Sequence, residues 1–244
     1  MLTNYYKINP GGNITALVDR DFNKSRRIQI AKKILGSDPS IEQVGFIATP
    51  KTEATAGRIE MMGGEFCGNA TRCLAYIIGL RKELAGDFLV ESSGIKYPIQ
   101  ARIQKNYSEI TLPLAQFEVQ KDLVCLPGIV HIITPEEFDK AKALEILRER
   151  KLLRRKAVGV ISYKFDQKQL SIKPFVWVRD TETLYEETSC ASGSLALAYF
   201  LSQQGQGEKF SIKQPSGYKL SVDINQKLIS ISGAIVSIEK ATII

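Results

Sequence analysis

The chain of 244 residues holds a single histidine, His131, within an apolar strand-like stretch. That scarcity argues against a metal centre, which would want imidazole or carboxylate partners beside its cysteines. Its four cysteines, Cys67, Cys73, Cys125 and Cys190, lack both the density of a secreted scaffold and any C-x-x-C spacing for zinc. No stretch approaches the length of a membrane span. The opening Met1-Leu2-Thr3-Asn4-Tyr5-Tyr6-Lys7 has no basic flank leading into an apolar run, so no secretory signal is expected. A reduced, cytoplasmic protein with no membrane partner is the reading. Low-complexity sequence is absent, and no linker rich in Pro, Gly or Ser separates the halves. They are therefore expected to pack tightly about a cleft.

Negative charge is in short supply, leaving a formal net charge of +7. The basic residues gather in Lys24–Lys33 and Arg148–Lys156, but no aromatic residues interleave with them to stack on bases. Nucleic acid is not the expected partner. The second cluster ends a predicted amphipathic helix, with Thr134 as N-cap, Pro135 in its first turn and Glu137 completing a capping box. Phe138, Ala141, Leu144 and Ile146 or Leu147 give its apolar stripe. Lysines and arginines late in such a helix face solvent and complement its dipole.

What the chain does contain is a phrase said twice. Cys67 opens C-G-N-A-T-R-C-L-A-Y and Cys190 opens C-A-S-G-S-L-A-L-A-Y, an offset of 190 − 67 = 123 residues. At the same offset Ser93-Gly94-x-Lys96 recurs as Ser216-Gly217-x-Lys219, and Val44–Ile47 has a looser echo in Val158–Ile161. Such self-similarity points to two copies of one unit. The pattern predicts strand, glycine turn and strand over 5–18, a basic helix over 25–35 and a strand over 43–48. A cysteine helix over 67–83 and strands at 88–91, 97–103 and 109–114 complete the first half. The second half is predicted to hold strands at 129–134, 157–165 and 174–179, and a cysteine helix to about Gln204. Strands at 209–213, 218–224, 228–232 and 236–243 close it.

Around both cysteines the residues are small, Gly68-Asn69 after one and Ala191-Ser192-Gly193 after the other. A helix opens there, and its first amides have no intrahelical partner. Such a terminus binds carboxylates and carries positive partial charge, which favours a thiolate and lowers the thiol pKa. Two such termini facing each other would hold a carboxylate and present sulfurs to both faces of the neighbouring atom. That is the geometry for taking a proton from one side of an α-carbon and returning one to the other. Cys73, on an apolar helix face, and Cys125, in a strand, read as buried small hydrophobes. A metal site and a dithiol redox or binding protein stay open beside catalysis.

These residues resemble the diaminopimelate epimerase family of cofactor-independent racemases and epimerases. Within it the chain is most similar to the histidine racemases of opine-type metallophore synthesis. The resemblance is carried by Asn9-Pro10-Gly11-Gly12-Asn13, Glu42-Gln43, Gly64–Thr71, Glu187–Gly193 and Gln214–Gly217. It implies an α+β fold of two pseudo-symmetric domains, about 1–115 and 116–235, each a curved, mainly antiparallel sheet around a central helix. The last strand, about 236–244, would return to the first domain. It also implies Cys67 and Cys190 as catalytic bases, without pyridoxal phosphate or metal. Backbone amides at Gly68, Asn69, Ala191 and Ser192 would bind the α-carboxylate, with Asn13, Gln43 and Glu187 as further substrate contacts. Where diaminopimelate epimerases place asparagines, Ile129 and Ala157 stand, so the ligands for a distal carboxylate are missing. Histidine is the leading substrate, with Glu182, Glu186 or Glu187 to accept its ring N–H; diaminopimelate or another amino acid is the alternative. A homodimer stays open.

Overall fold

Two helices that each begin at a cysteine lie at the centre of the fold, wrapped by strands. The computed structural model describes residues 2–167 and 169–243. In the first half β1 (Thr3–Asn9), β2 (Thr15–Val18), α1 (Lys24–Ser37), β3 (Gln43–Ala48) and β4 (Gly57–Met61) lead into α2 (Gly68–Arg81). Then come β5 (Asp87–Ser92), β6 (Ile99–Gln104), β7 (Tyr107–Pro113) and the short β8 (Glu118–Gln120) and β9 (Leu123–Leu126). The second half runs β10 (Ile129–Thr134), α3 (Lys140–Glu149), β11 (Ala157–Asp166), β12 (Gln169–Val178) and β13 (Thr183–Glu186) into α4 (Ala191–Gln203). Strands β14 (Lys209–Lys213), β15 (Lys219–Ile224), β16 (Leu228–Ala234) and β17 (Ser237–Ile243) follow.

Helix α2 is buried on every side from Gly68 to Gly79, and α4 from Ala191 to Ala198. Their runs of Gly, Ala, Ser, Thr and Cys let strands approach on all faces, as a helix without a solvent side requires. The strands show both burial regimes. In β14, Phe210 and Ile212 point inward while Lys209, Ser211 and Lys213 point out, the alternation of a half-solvated antiparallel strand. β11 is buried continuously from Ala157 to Ser162, matching its run of apolar and β-branched residues.

The pairing order repeats. β2–β3 is parallel, β3–β4 antiparallel, β4–β5 parallel, and β5–β6 and β6–β7 antiparallel. β10–β11 is parallel, β11–β12 antiparallel, β12–β14 parallel, and β14–β15 and β15–β16 antiparallel. The sequence echoes fall at matching places, with Ser93-Gly94 in the β5–β6 turn and Ser216-Gly217 in the β14–β15 turn. Sheet continuity between the halves runs through β7 and β16, from Leu228↔Pro113 to Ala234↔Tyr107. β17 lies along β1, from Asn9↔Ser237 to Thr3↔Ile243; residue 244, included in the expected returning strand, lies outside the described residues. The result is a mixed, sheet-dominated α+β fold.

Three local expectations are corrected. Helix α3 begins at Lys140, capped by Asp139, whose carboxylate accepts from the Lys142 amide at 2.8 Å. Thr134 is instead the last residue of β10, held there by its pairing with Ser162. The later start turns the helix, so that Ala143 and Leu147 face the core and Ala141 faces solvent. β4, with Arg58 and Glu60 alternating between apolar residues, was not expected; the two charges pair with each other. β12 starts at Gln169 and runs straight through Pro174. The proline is tolerated because it falls between the stretch that pairs with β14 and the stretch that pairs with β13.

Arg72 is fully buried within α2 and, among the described residues, has no carboxylate partner. Its Nε donates to the Ser108 carbonyl at 2.9 Å, and Nη1 to the Pro10 carbonyl at 3.3 Å and to Asn69 Oδ1 at 3.2 Å. Burial pulls the guanidinium down to about 10. Asn69 carries the connection onward, its Nδ2 donating to the Ser189 carbonyl at 3.0 Å. Replacing Arg72 with Met strands these acceptors. The substitution is expected to lower stability by about 3 kcal/mol, read as a lower urea midpoint at unchanged m-value.

Candidate active site

The two cysteines occupy the same position in their helices. Cys67 caps α2 at φ −128°, ψ 113°, and Cys190 caps α4 at φ −133°, ψ 102°. Each sulfur accepts from the amide three residues on, Ala70 N at 3.4 Å and Gly193 N at 3.3 Å. Each cap carbonyl accepts from a hydroxyl one turn later, Thr71 at 2.8 Å and Ser194 at 2.7 Å. The helix starts meet: a Cβ placed on Gly68 would lie 2.8 Å from the Cβ of Ala191. The remaining first-turn amides, of Gly68, Asn69, Ala191 and Ser192, have no intrahelical acceptor.

A cavity of about 30 Å³ lies at this meeting point. Cys67, Cys190, Asn13, Gln43, Gly68, Asn69, Glu187, Ala191 and Ser192 all line it; Cys73 and Cys125 do not. It has room for about two water molecules, so an amino acid enters only if the walls part. Ile129 lines both this cavity and a second one of about 570 Å³, which Lys96, Arg155 and Lys156 also line. Arg155 and Lys156, expected on a plain solvated face, therefore border a cleft.

Several residues do more than line the space. Gln43 Oε1 accepts from the Cys67 thiol at 2.9 Å, while its Nε2 donates to Thr15 Oγ1 at 2.7 Å. Asn13 sits at φ +53°, a left-handed position that asparagine tolerates, and donates its amide to Thr188 Oγ1 at 2.7 Å. The Asn69 side chain is turned away, towards Ser189 and Arg72. Of the three carboxylates considered for a ring N–H, only Glu187 borders the cavity. Glu182 is exposed, and Glu186 pairs with Lys173 at 3.5 Å.

Two residues near the sulfurs were missed. His131 on β10 places Nε2 3.0 Å from Ser192 Oγ, which lies 3.6 Å from Cys190 Sγ. Burial pushes this imidazole down to about 3, so it is neutral. Gly159, its parallel neighbour on β11, makes room for the ring, since a Cβ there would stand 2.2 Å from Nδ1. Nothing local in the sequence aims β10 at α4. The other is Glu65, buried among the lining residues two positions before Cys67. Among the described residues no group of three or more His, Cys, Asp or Glu is placed to hold a metal ion.

Burial reverses the expected lowering of the thiol pKa at the helix starts. Burial pushes both thiols up, and the Glu187 carboxylate adds to the effect at each. The amides of Ala70 and Gly193 pull the other way and lose. Desolvation penalises the charged form more than a single amide restores it. Glu187 is itself raised to about 7 by burial, with Glu42 and Glu65 adding, against hydrogen bonds from Cys190 and Asn13. Without substrate, burial favours the thiol form at both sulfurs.

Comparison with known proteins shows the family. The family described as "Histidine racemase CntK N-terminal domain" matches residues 2–241. The chain belongs to this histidine racemase family. It is accordingly an isomerase of the racemase and epimerase kind. The histidine racemase of Fusobacterium nucleatum subsp. nucleatum (strain ATCC 23726 / VPI 4351) is 31% identical over 241 residues, covering 88% of this chain and 87% of that one. The histidine racemase of Staphylococcus aureus (strain Mu50 / ATCC 700699) is 28% identical over 237 residues, 87% of this chain and 85% of the other. In fold, the chain is similar to a hydroxyproline epimerase from Agrobacterium vitis. The TM-score is 0.67 at 10% identity, over 99% of this chain and 93% of that one. It is also similar to a phenazine-biosynthesis PhzC/PhzF protein from Clostridium difficile (strain 630), with TM-score 0.63, 12% identity and 99% of both chains covered. No helix among the described residues of this family member is long and apolar enough to cross a membrane.

Gly68→Ala tests the contact between the helix starts. The added methyl has no free space, so the termini must separate. The variant is expected to stay folded by circular dichroism while losing at least tenfold in α-proton exchange of L-histidine, a loss of about 1.4 kcal/mol or more in transition-state stabilisation.

Proposed function

We propose that this protein interconverts L- and D-histidine by proton transfer at the α-carbon, with Cys67 and Cys190 as the two bases and without pyridoxal phosphate or metal. One observation carries the reading: two thiols cap two helices whose free first-turn amides face a single cavity, in a chain of the histidine racemase family. The α-carboxylate takes the amides of Gly68, Asn69, Ala191 and Ser192. These donors hold the charge that develops as the α-carbon loses its proton and the carboxylate gains enediolate character. Asn13 and Glu187 serve the amino group.

Glu187 is placed to take the Cys190 proton, leaving a thiolate on one face of the substrate. Gln43 holds the Cys67 proton on sulfur for delivery to the other face. In that direction Cys190 gains the α-proton and Cys67 loses its own; the reverse direction runs from the opposite state. The two sulfurs and Glu187 titrate as a coupled set. Apolar Ile129, Val176 and Val178 around the side-chain space favour a compact ring over a second amino-acid group, because an unpaired buried charge costs several kcal/mol. The repeated pairing order and paired caps support two pseudo-symmetric domains, 1–115 with the returning strand and 116–235. The shared architecture also supports kinship with diaminopimelate epimerases. A cytoplasmic location would keep both thiols reduced.

Cys67→Ala and Cys190→Ala are each expected to abolish racemisation in both directions, whereas Cys73→Ala and Cys125→Ala keep most activity. Product formed in D₂O should carry deuterium at the α-carbon while unreacted substrate stays largely protiated early in the reaction. Near wild-type turnover in the Cys190→Ala enzyme would sink the two-base assignment. The pH profile gives a separate check. Glu187 accepts the thiol proton only when ionised, so kcat/KM should rise as pH passes upward through about 7. Glu187→Gln should remove that limb along with most of the activity. An unchanged acid limb in the variant would show that another group governs it.

A further inference from the structure

The cavity wall holds one carboxyl that the proton transfer above does not use. Glu65 lies in the segment joining β4 to α2 and is only 5% exposed. Its Oε2 is buried with no hydrogen-bond partner among the described residues. Burial pushes the carboxyl up, while its own amide, the charge of Lys156 and the Gly63 amide pull it back. The segment is fixed from behind, since Ser93 Oγ donates to the Glu65 carbonyl at 2.6 Å and accepts from the Met61 amide at 3.0 Å. Gly63 leaves the carboxyl its space: a Cβ there would stand 2.4 Å from Oε2 and 2.8 Å from Val178 Cγ1. Glu65 and Val178 both line the small cavity, and Val176, Phe66 and Ile129 continue its apolar wall.

A buried acceptor left without a donor is destabilising, and a ligand that brings the donor removes the penalty. The ligand that suits this wall has a flat, largely apolar side chain with one N–H at its edge. We propose that Glu65 is the specificity-determining residue of the site, its carboxyl taking the ring N–H of the substrate's imidazole. This rests on the reading of histidine as substrate. An aliphatic side chain would leave Oε2 unpaired, and a second carboxylate would bring it another acceptor in place of a donor. Both are rejected by the same atom.

The test is α-proton exchange in D₂O with wild-type enzyme and the Glu65→Gln and Glu65→Leu variants. Substrates are L-histidine, its two ring N-methyl derivatives and L-leucine. Wild type should exchange histidine and discriminate against the derivative methylated at the nitrogen that Glu65 engages. Glu65→Gln should lose roughly 10- to 100-fold in kcat/KM on histidine, mainly through KM, and should narrow the gap between histidine and that derivative. Glu65→Leu should gain on leucine relative to histidine. A structural role alone would not move these ratios. Histidine exchange that is indifferent to Glu65→Gln overturns the assignment and leaves the substrate reading standing. So does a wild-type enzyme that accepts histidine and both methylated derivatives equally, a result that needs no variant to fold. Failure of wild-type enzyme to exchange histidine removes the substrate reading, and the Glu65 assignment with it.

Discussion

Two helix ends of like sign are set head to head, and much of the molecule is arranged around that fact. Each N-terminus carries a fraction of a positive charge, and between Gly68 and Ala191 there is no room for a methyl group. Left alone, the two would repel. The carboxyls of Glu187 and Glu65 border the gap from outside, and an anionic ligand between the helix starts would answer both at once. The approach is held mechanically as well. Asn69 reaches across to Ser189, Thr188 bonds both Asn13 and Glu42, and Ser216 donates to the Gly11 carbonyl at 2.8 Å. Arg72, a full charge buried behind one of these ends, is accommodated because the carbonyls of Ser108 and Pro10 and the Asn69 Oδ1 accept from it.

The same enclosure decides the state of the sulfurs. A cysteine at a helix start is usually discussed in terms of the amides in front of it, which favour the anion. Here the surrounding wall is stronger, and a neighbouring carboxylate strengthens it. Burial that favours the thiol lowers the share of the reactive thiolate in the empty site. Reactivity then becomes a property of the occupied site, where bound charge and displaced water alter the balance that burial sets.

What could be read from the sequence follows from how local each determinant is. The cap cysteines announce themselves because an N-cap is defined within four residues, so C-G-N-A and C-A-S-G carry their own structural meaning. The echo of Ser93-Gly94 in Ser216-Gly217 is equally local. Gln43 was legible as a site residue but not as the partner of the Cys67 thiol, which depends on how β3 lies beside α2. His131 and Glu65 escaped for the same reason. A histidine in an apolar strand and a glutamate ahead of a helix look ordinary until register and packing aim them. The start of α3 was misread because Thr134 and Asp139 are both competent caps, and only the pairing of β10 with β11 removes the first.

The pairing of β1 with β17 has a consequence for how the chain reaches its native state. Thr3 lies opposite Ile243, a contact between residues almost as distant in sequence as this chain allows. The entropy of closing so long a loop must be met before that edge of the sheet forms, and contacts of such separation slow folding. The first half therefore cannot complete its sheet until β17 has been made, however early its own strands and α2 assemble. Until β17 arrives, one edge of β1 carries unpaired amides and carbonyls, an open template for another strand. The edge of β7 that later takes β16 waits in the same way.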